Sequence, residues 1–379
     1  MKYETDFETM ETAKDVITKL NLTHVKTDKI ICPSCLSKNI KKHGIQKNKL
    51  QNYQRYYCNN CKKTFSLQEK NKTYPINIIL TALSLYNVGY SQSQIINKIS
   101  RKFKIKPSQK TISNWLTQYK NICTFNKLRQ EAVKLYSPEE MIETHVFMHN
   151  NLPYKFQIHK AKLALLFNSD IYNNKFTNIK KFEQPINSYF EKIPTGEFPH
   201  HIFKPKLLNQ NSKEKLGRSS QLKFETLEFV KLQKQNLANE LAGLALNLAK
   251  TNRDKHQSVQ DFMLINDSTT IATEIPVYLT NDDIKYFLTK GFHIPLENQQ
   301  TPITGHIDIV QIRNGLIHIL DYKPEADKIN PINQLTLYAL ALASRTRLAL
   351  RDFKCAWFDE NNYYEFFPLH VVYAKKEKR

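Results

Sequence analysis

The sequence predicts a multidomain chain: a small metal-held ribbon, an all-α helix-turn-helix unit and a C-terminal α/β core with a mixed sheet. Three observations carry that prediction. Two CxxC pairs stand near the N-terminus, helical periodicity with serine caps runs from Pro75 to Cys123, and an Asn-Gly turn joins two apolar runs in the last third. At 379 residues the chain is long enough for two or three separate cores.

The ribbon comes first. Cys32-Pro33-Ser34-Cys35 and Cys58-Asn59-Asn60-Cys61 are 22 residues apart, and each turn presents two thiolates to one ion. Tyr53, Arg55 and Tyr57 alternate between the pairs as a strand does. A redox CxxC needs a surrounding βαβ pattern, which is missing, so the expectation is a structural Zn2+ on Cys32, Cys35, Cys58 and Cys61. Four thiolates leave no open position, so this ion holds the fold and does not catalyse. Cys123 and Cys355 are expected to be packed thiols.

The helical stretch follows. Ile76, Ile79, Leu80, Leu83, Leu85 and Tyr86 form a stripe ended by Gly89; Ser91 precedes a helix carrying Ile95, Ile96 and Ile99; Ser108 starts a third with Ile112, Trp115, Leu116 and Tyr119 inward. In a helix-turn-helix the third helix enters the major groove, which would expose Gln109, Lys110, Ser113 and Asn114. A small bundle with a solvated polar face is the plainer alternative. Charge supports DNA: Lys and Arg number 56 against 35 Asp and Glu, a net +21, and between Lys26 and Lys72 only Asp28 and Glu69 are acidic. No apolar run approaches a bilayer span. Met1 to Lys14 is polar and acidic, so a secretory leader is not expected. The chain is expected in the cytoplasm at the nucleoid, a reducing compartment.

The run Cys32-Pro-Ser-Cys, His43-Gly44, Tyr53 to Tyr57 and Cys58-Asn-Asn-Cys-Lys-Lys-Thr-Phe65-Ser66 resembles the zinc ribbon of many insertion-sequence transposases. Ser91–Ile99 and Thr111-Ile112-Ser113-Asn114-Trp115-Leu116 resemble the helix-turn-helix that follows it in those proteins. The resemblance covers about residues 28–122. Such transposases continue into an RNase H-like DDE domain, for which this sequence shows no counterpart.

Residues 124–222 say least. Ser137-Pro138-Glu139-Glu140 looks like a helix start, Phe156 to Phe167 is largely apolar around His159 and Lys160, and Asn209 to Ser220 reads as a linker. His200-His201, between Pro199 and Ile202, reads as packing or surface and not as a ligand pair. The expected division is 1–27 extension, 28–72 ribbon, 73–123 helix-turn-helix, 124–222 unassigned or linker, and 223–379 α/β domain.

In that last domain a long helix is expected from about Phe224 to Lys250, with Leu237, Leu241, Leu244 and Leu248 buried. A strand from Ile271 to Leu279 contains Glu274. Then Gly305-His306-Ile307-Asp308-Ile309-Val310, the Arg313-Asn314-Gly315 turn and Ile319-Leu320-Asp321-Tyr322-Lys323 read as a hairpin. A two-residue turn at Asn314-Gly315 sets Asp308 opposite Asp321, with Lys323 on the same face. Like charges directly opposite are destabilising, and here they sit among Ile, Val and Leu. The pair calls for a cation. Asn330-Pro331 starts a helix carrying Gln334 and Tyr338 on one face, and strands at Cys355–Phe358 and Tyr363–Phe367 complete a mixed sheet.

Gly305-His-Ile-Asp308, Asp321-Tyr322-Lys323 and Gln334-Leu-Thr-Leu-Tyr338, in that order, resemble the RecB-like branch of the PD-(D/E)XK nuclease superfamily, over about residues 225–370. The resemblance implies a restriction-endonuclease-like core in which Asp308 and Asp321 ligate Mg2+ or Mn2+ and Lys323 positions or activates the attacking water. Gln334 and Tyr338 would shape the site and touch DNA. Glu274 matches the acidic residue before the GxxD strand, and Glu240 stands for the helix carboxylate. That branch often has a histidine in the helix, and none falls between Phe224 and Lys250. A cation beside Lys323 and apolar neighbours are expected to lower its pKa. The function expected is metal-dependent DNA cleavage directed by the N-terminal modules. The rivals are a DNA-binding regulator with an inactive nuclease fold, and a mobile-element component that cuts DNA for a recombination partner protein. A homo-oligomer is a further partner candidate.

Overall fold

The computed structural model describes residues 30, 32, 35, 37–47, 52–66, 74–149, 152–167, 179–193, 219, 222, 231–251, 254–294 and 302–373. It divides into two compact units, Met1–Leu83 with Gln92–Asn121, and Ser84–Ser91 with Ile122–Arg379.

In the first unit β1 (Ile40–Lys47), β2 (Asn52–Cys58) and β3 (Thr64–Ser66) form an antiparallel sheet in that order. The register slips between Lys42 and Ile45, where Gly44 takes φ +77°, a left-handed backbone that glycine adopts without steric cost. Cys32, Tyr56, Cys58 and Phe65 are buried together, with Ile30 and Ile40 against them. Helix α1 (Ile76–Asn87) buries Ile78, Ile79, Leu80, Ala82 and Leu83, and its last turn belongs to the second unit. Helix α2 (Gln92–Phe103) buries Ile95 and Ile99, and α3 (Gln109–Gln118) buries Ile112, Trp115 and Leu116. The Ser108 hydroxyl accepts from the Thr111 N–H at 3.1 Å, capping α3 as its sequence predicts.

The second unit is built on a mixed eight-stranded sheet. Its strands are β4 (Ile142–His149), β5 (Leu152–His159), β6 (Leu232–Lys234), β7 (Thr270–Leu279), β8 (Ile303–Arg313), β9 (Leu316–Tyr322), β10 (Phe353–Phe358) and β11 (Tyr363–Phe366). Their order is β4-β5-β7-β8-β9-β10-β11-β6. Only β9 and β10 pair parallel, and a parallel pair needs a crossover. Helix α10 (Ile332–Thr346) supplies it; its Leu335, Leu337, Leu340 and Leu342 are buried. The other helices are α4 (Arg129–Leu135), α5 (Lys160–Phe167), α6 (Glu183–Lys192), α7 (Leu237–Ala245), α8 (Lys255–Asn266), α9 (Asn281–Thr289) and α11 (Pro368–Val372). α6 and α10 cover one core with the inner strands, while α8 packs on β7 and α7 on α8.

Two expectations change. First, part of the unassigned middle joins the sheet: β4 and β5 form a hairpin with His149 opposite Leu152, and β5 joins β7 through Gln157↔Thr273 and Ile158↔Ala272; the linker expected at Asn209 to Ser220 lies, Ser219 apart, outside the described residues. Along β5, Tyr154, Phe156 and Ile158 alternate with Lys155, Gln157 and His159, the period-two pattern of a strand. The two compact units divide at 83/84, 91/92 and 121/122. Second, the helix expected over 224–250 is shorter: Asn236 caps α7 through the Ala238 N–H, and β6 precedes it. An Asn that can hold its own helix start outcompetes continuation of the helix. His200-His201 lies outside the described residues.

The segment 84–91 is fixed to the second unit by polar bonds. Asn87 donates to Asn266 at 2.9 Å, and the Arg129 guanidinium donates to the carbonyls of Tyr86, Gly89 and Tyr90.

Candidate active site and metal centre

Three acids from three neighbouring strands stand in one row. Asn314 and Gly315 have φ of +51° and +71°, the paired left-handed residues of a type I′ turn. Pairing runs from Arg313↔Leu316 to Ile309↔Leu320, so the next step sets Asp308 across from Asp321. On the other side Thr273↔Ile309 and Ile275↔Ile307 bracket Glu274 opposite Asp308. Glu274 has φ +54°. A non-glycine residue in that region inside a strand is strained, and such strain persists where the surroundings over-determine it.

Asp321 is 2 % exposed and ion-paired with Lys323 Nζ at 2.8 Å. Asp308 Oδ2 accepts from the Tyr322 N–H at 3.2 Å, and His256 Nδ1 lies 3.6 Å from the same oxygen. His256 opens α8 and sets its ring edge-on to Tyr322 at 5.1 Å. One turn further along α8, Gln260 donates to Glu274 Oε1 at 2.6 Å. Neither residue was reached by sequence reasoning. The helix expected over 224–250 carries no histidine, and it is α8, beginning at Lys255, that brings His256 to the row. His256 and Gln260 are spaced i, i+4, and that spacing was the readable signal.

Charge is unequally shared along the row. Burial and the Asp308 charge push the Asp321 carboxyl well above the usual range. Burial works against the Asp308 carboxylate too, but hydrogen bonds with His256 and Asp321 and the Lys323 charge outweigh it and hold its pKa down. Burial, then Asp308, raise Glu274 to about 8. The lowered pKa expected for Lys323 belongs to the amine beside a cation; the protein's own groups act on it differently. Burial pulls it down, but Asp321, Asp308 and Glu274 together overcome that, and the net direction is up.

Gln334 and Tyr338 meet as predicted, the amide donating to the phenol oxygen at 2.8 Å. The same ring explains Gly305: a Cβ there would lie 2.2 Å from Tyr338 Cε1 and 2.7 Å from Ser219 Oγ. Burial raises the Tyr338 hydroxyl, and Asp321 and Asp308 add to the rise. No contact of Glu240 with the row is found among the described residues. It is half-buried on α7, its pKa raised by burial, and makes no hydrogen bond or ion pair among the described residues.

The four cysteines converge. The Sγ atoms of Cys32, Cys35, Cys58 and Cys61 lie within 4.8 Å of one another, with Cys32–Cys61 and Cys35–Cys58 at 3.5 Å. Backbone N–H groups of Cys61 and Asn60 hold the Cys58 thiol down at about 6. The cluster is compatible with a zinc ribbon. Among the described residues no other His, Cys, Asp or Glu group of three or more is as tight. Cys123 and Cys355 are buried; burial raises the Cys123 thiol to about 12, and Cys355 donates to the Leu335 carbonyl.

On α3, Gln109, Lys110 and Asn114 are exposed. Ser113 is not free as expected: it is half-buried and donates to Gln92 Oε1 at 3.2 Å, tying α3 to the start of α2. Among the described residues no helix is long and apolar enough to cross a membrane. Comparison with protein-family models, curated proteins and solved structures gives no match.

Proposed function

We propose that the second unit is a Mg2+- or Mn2+-dependent deoxyribonuclease of the PD-(D/E)XK, RecB-like kind, directed to DNA by a zinc ribbon and helix-turn-helix in the first. The observation that carries it is the row Glu274–Asp308–Asp321 with His256 on Asp308 and Lys323 on Asp321. Carboxyls opposite one another, Asp321 buried and Asp308 and Glu274 partly so, are oxygen donors of the kind hard divalent ions take. Asp308, Asp321 and the His256 ring would hold the ion, so the histidine of that branch comes from α8. Glu240 has no part in this reading.

A bound divalent ion lowers the pKa of water and neutralises charge on a phosphoryl oxygen. The rest falls to the chain. Lys323, ion-paired with Asp321, would position or activate the attacking water. Gln260 fixes Glu274 at one end of the row. The Gln334–Tyr338 pair walls the other side, where the strand would lie. In the first unit Lys110, Gln109 and Asn114 would contact DNA, while Ser113 positions α3.

The test compares Asp321→Ala with the parent chain. DNA binding unchanged and plasmid cutting lost supports the reading. A parent chain that binds but never cuts in Mg2+ or Mn2+ supports a regulator instead. Cuts confined to the ends of a mobile element would favour the recombination role.

A further inference from the structure

A second polar site lies away from the acidic row. A cavity of about 650 Å³ opens where α6, α10 and β7 end, a ligand-sized volume. Of its eleven lining residues three are basic, Lys192, Arg345 and Arg347, and one is acidic, Asp283. The acid is already spent. Its carboxylate caps α9 through the Thr280 N–H and hydroxyl, each at 2.8 Å, and accepts from Ser344 and from the Arg345 guanidinium. Arg345 is thereby held flat over the Tyr278 ring, 4.3 Å from its centre.

Arg347 is harder to explain by structure alone. It follows α10 with φ +57°, the position where helices place glycine. Basic side chains there do offset the helix dipole, but Lys192 and Arg345 already serve that end of the cavity. Arg347 is exposed, and its side chain makes no hydrogen bond or ion pair among the described residues. A strained backbone kept for a side chain without a protein partner points outward, to a ligand.

The cavity has a fixed relation to the row. Glu274 and Tyr278 lie four residues apart on β7, a rise of about 13 Å along the strand. From Tyr338 to Arg345 along α10 is seven residues, about 10 Å. Phosphates on one strand of a duplex repeat every ~3.4 Å of axis, so this span is roughly three to four phosphates. We infer that the cavity is a phosphate-binding subsite for the nucleic-acid strand whose scissile bond lies at the acidic row, with Arg347 and Lys192 as its contacts. The identity of the strand rests on the nuclease reading; the subsite itself does not.

The experiment is an anisotropy titration of fluorescein-labelled octathymidylate with the full chain, without added divalent metal, for the parent, Arg347→Gly and Lys192→Gln. Binding should weaken roughly tenfold in Arg347→Gly, as for a lost charged hydrogen bond, and the log–log salt slope should become shallower by about one. The glycine relieves the left-handed backbone, so its Tm should be equal or higher, which excludes misfolding as the cause. Unchanged affinity and slope in both variants would overturn the subsite. So would thymidine monophosphate binding the parent as tightly as the octamer, which assigns the cavity to a free mononucleotide. Cutting is not read here: a chain that never nicks DNA yet shows the Arg347 dependence loses the nuclease reading and keeps the subsite.

Discussion

The cysteine cluster and the acidic row are both built from strands and turns, yet one is closed and the other loose. Four thiols from two turns bring their sulfurs within 4.8 Å. The three acids of the row are spread over three strands, so their spacing follows the sheet and not the ion. The row sets the Lys323 amine against Asp321 and the His256 ring against Asp308. A structural centre spends all its positions on the protein, whereas a centre for chemistry keeps donors that exchange protons, water and substrate.

That contrast can be broken in several ways. The largest effect belongs to the closed site. Cys58→Ser should release zinc, whose binding supplies about 10 kcal/mol or more of folding energy to small zinc modules. Atomic absorption should find no bound zinc, DNA binding should weaken, and the melting of the second unit should be unchanged. Retained zinc would refute the four-thiolate assignment.

Next comes the row. Outer-sphere groups at metal sites cost about 10- to 100-fold when removed, so His256→Ala and Asp308→Asn should each cost more than about 100-fold in cleavage rate. Gln260→Ala should cost about 10-fold. Equal, small losses in a single-turnover assay would make the row a structural cluster like the ribbon.

Gly305→Ala should destabilise the second unit by about 1–3 kcal/mol through overpacking against Tyr338. Adding Tyr338→Leu should recover most of that in urea melts, because the obstructing ring is gone. If the double variant is as unstable as the single one, the close approach is not the reason for the glycine.

A further effect is on pH. Burial, with Arg313 and the nearby lysines, lowers His318 to about 2, and burial with Lys162 takes His159 well below its usual value. Both stay neutral in the folded chain while the unfolded chain takes up protons below about pH 6.5. Stability should therefore fall as pH drops from about 6.5 to 4, by about 1.4 kcal/mol per pH unit for each histidine. His318→Leu should flatten the slope by half in denaturant titrations. An unchanged slope would place the linkage elsewhere.

The parts readable in advance were those set by local rules. Asn314-Gly315 fixed the hairpin register, Ser108 fixed a helix start, and the CxxC pairs fixed a cluster. What escaped depended on distant partners. Gln157 reads as polar surface until it pairs with Thr273, and Ser113 reads as exposed until Gln92 meets it. His256 was invisible because its value lies in which helix packs on β7. The direction of the Lys323 shift needed the count of acids around it, three and not one. Local chemistry names the groups; packing decides which of them meet.

The central claim is that the acidic row is where a divalent ion and a phosphodiester meet. The most direct measurement is nicking of supercoiled plasmid by the full chain with Mg2+ or Mn2+, beside the same reaction in chelator and beside Asp321→Ala. The account predicts relaxed and linear products with metal from the parent chain, and none in the other two. Equal cutting by Asp321→Ala, or intact plasmid bound by the parent at every metal concentration, would contradict it.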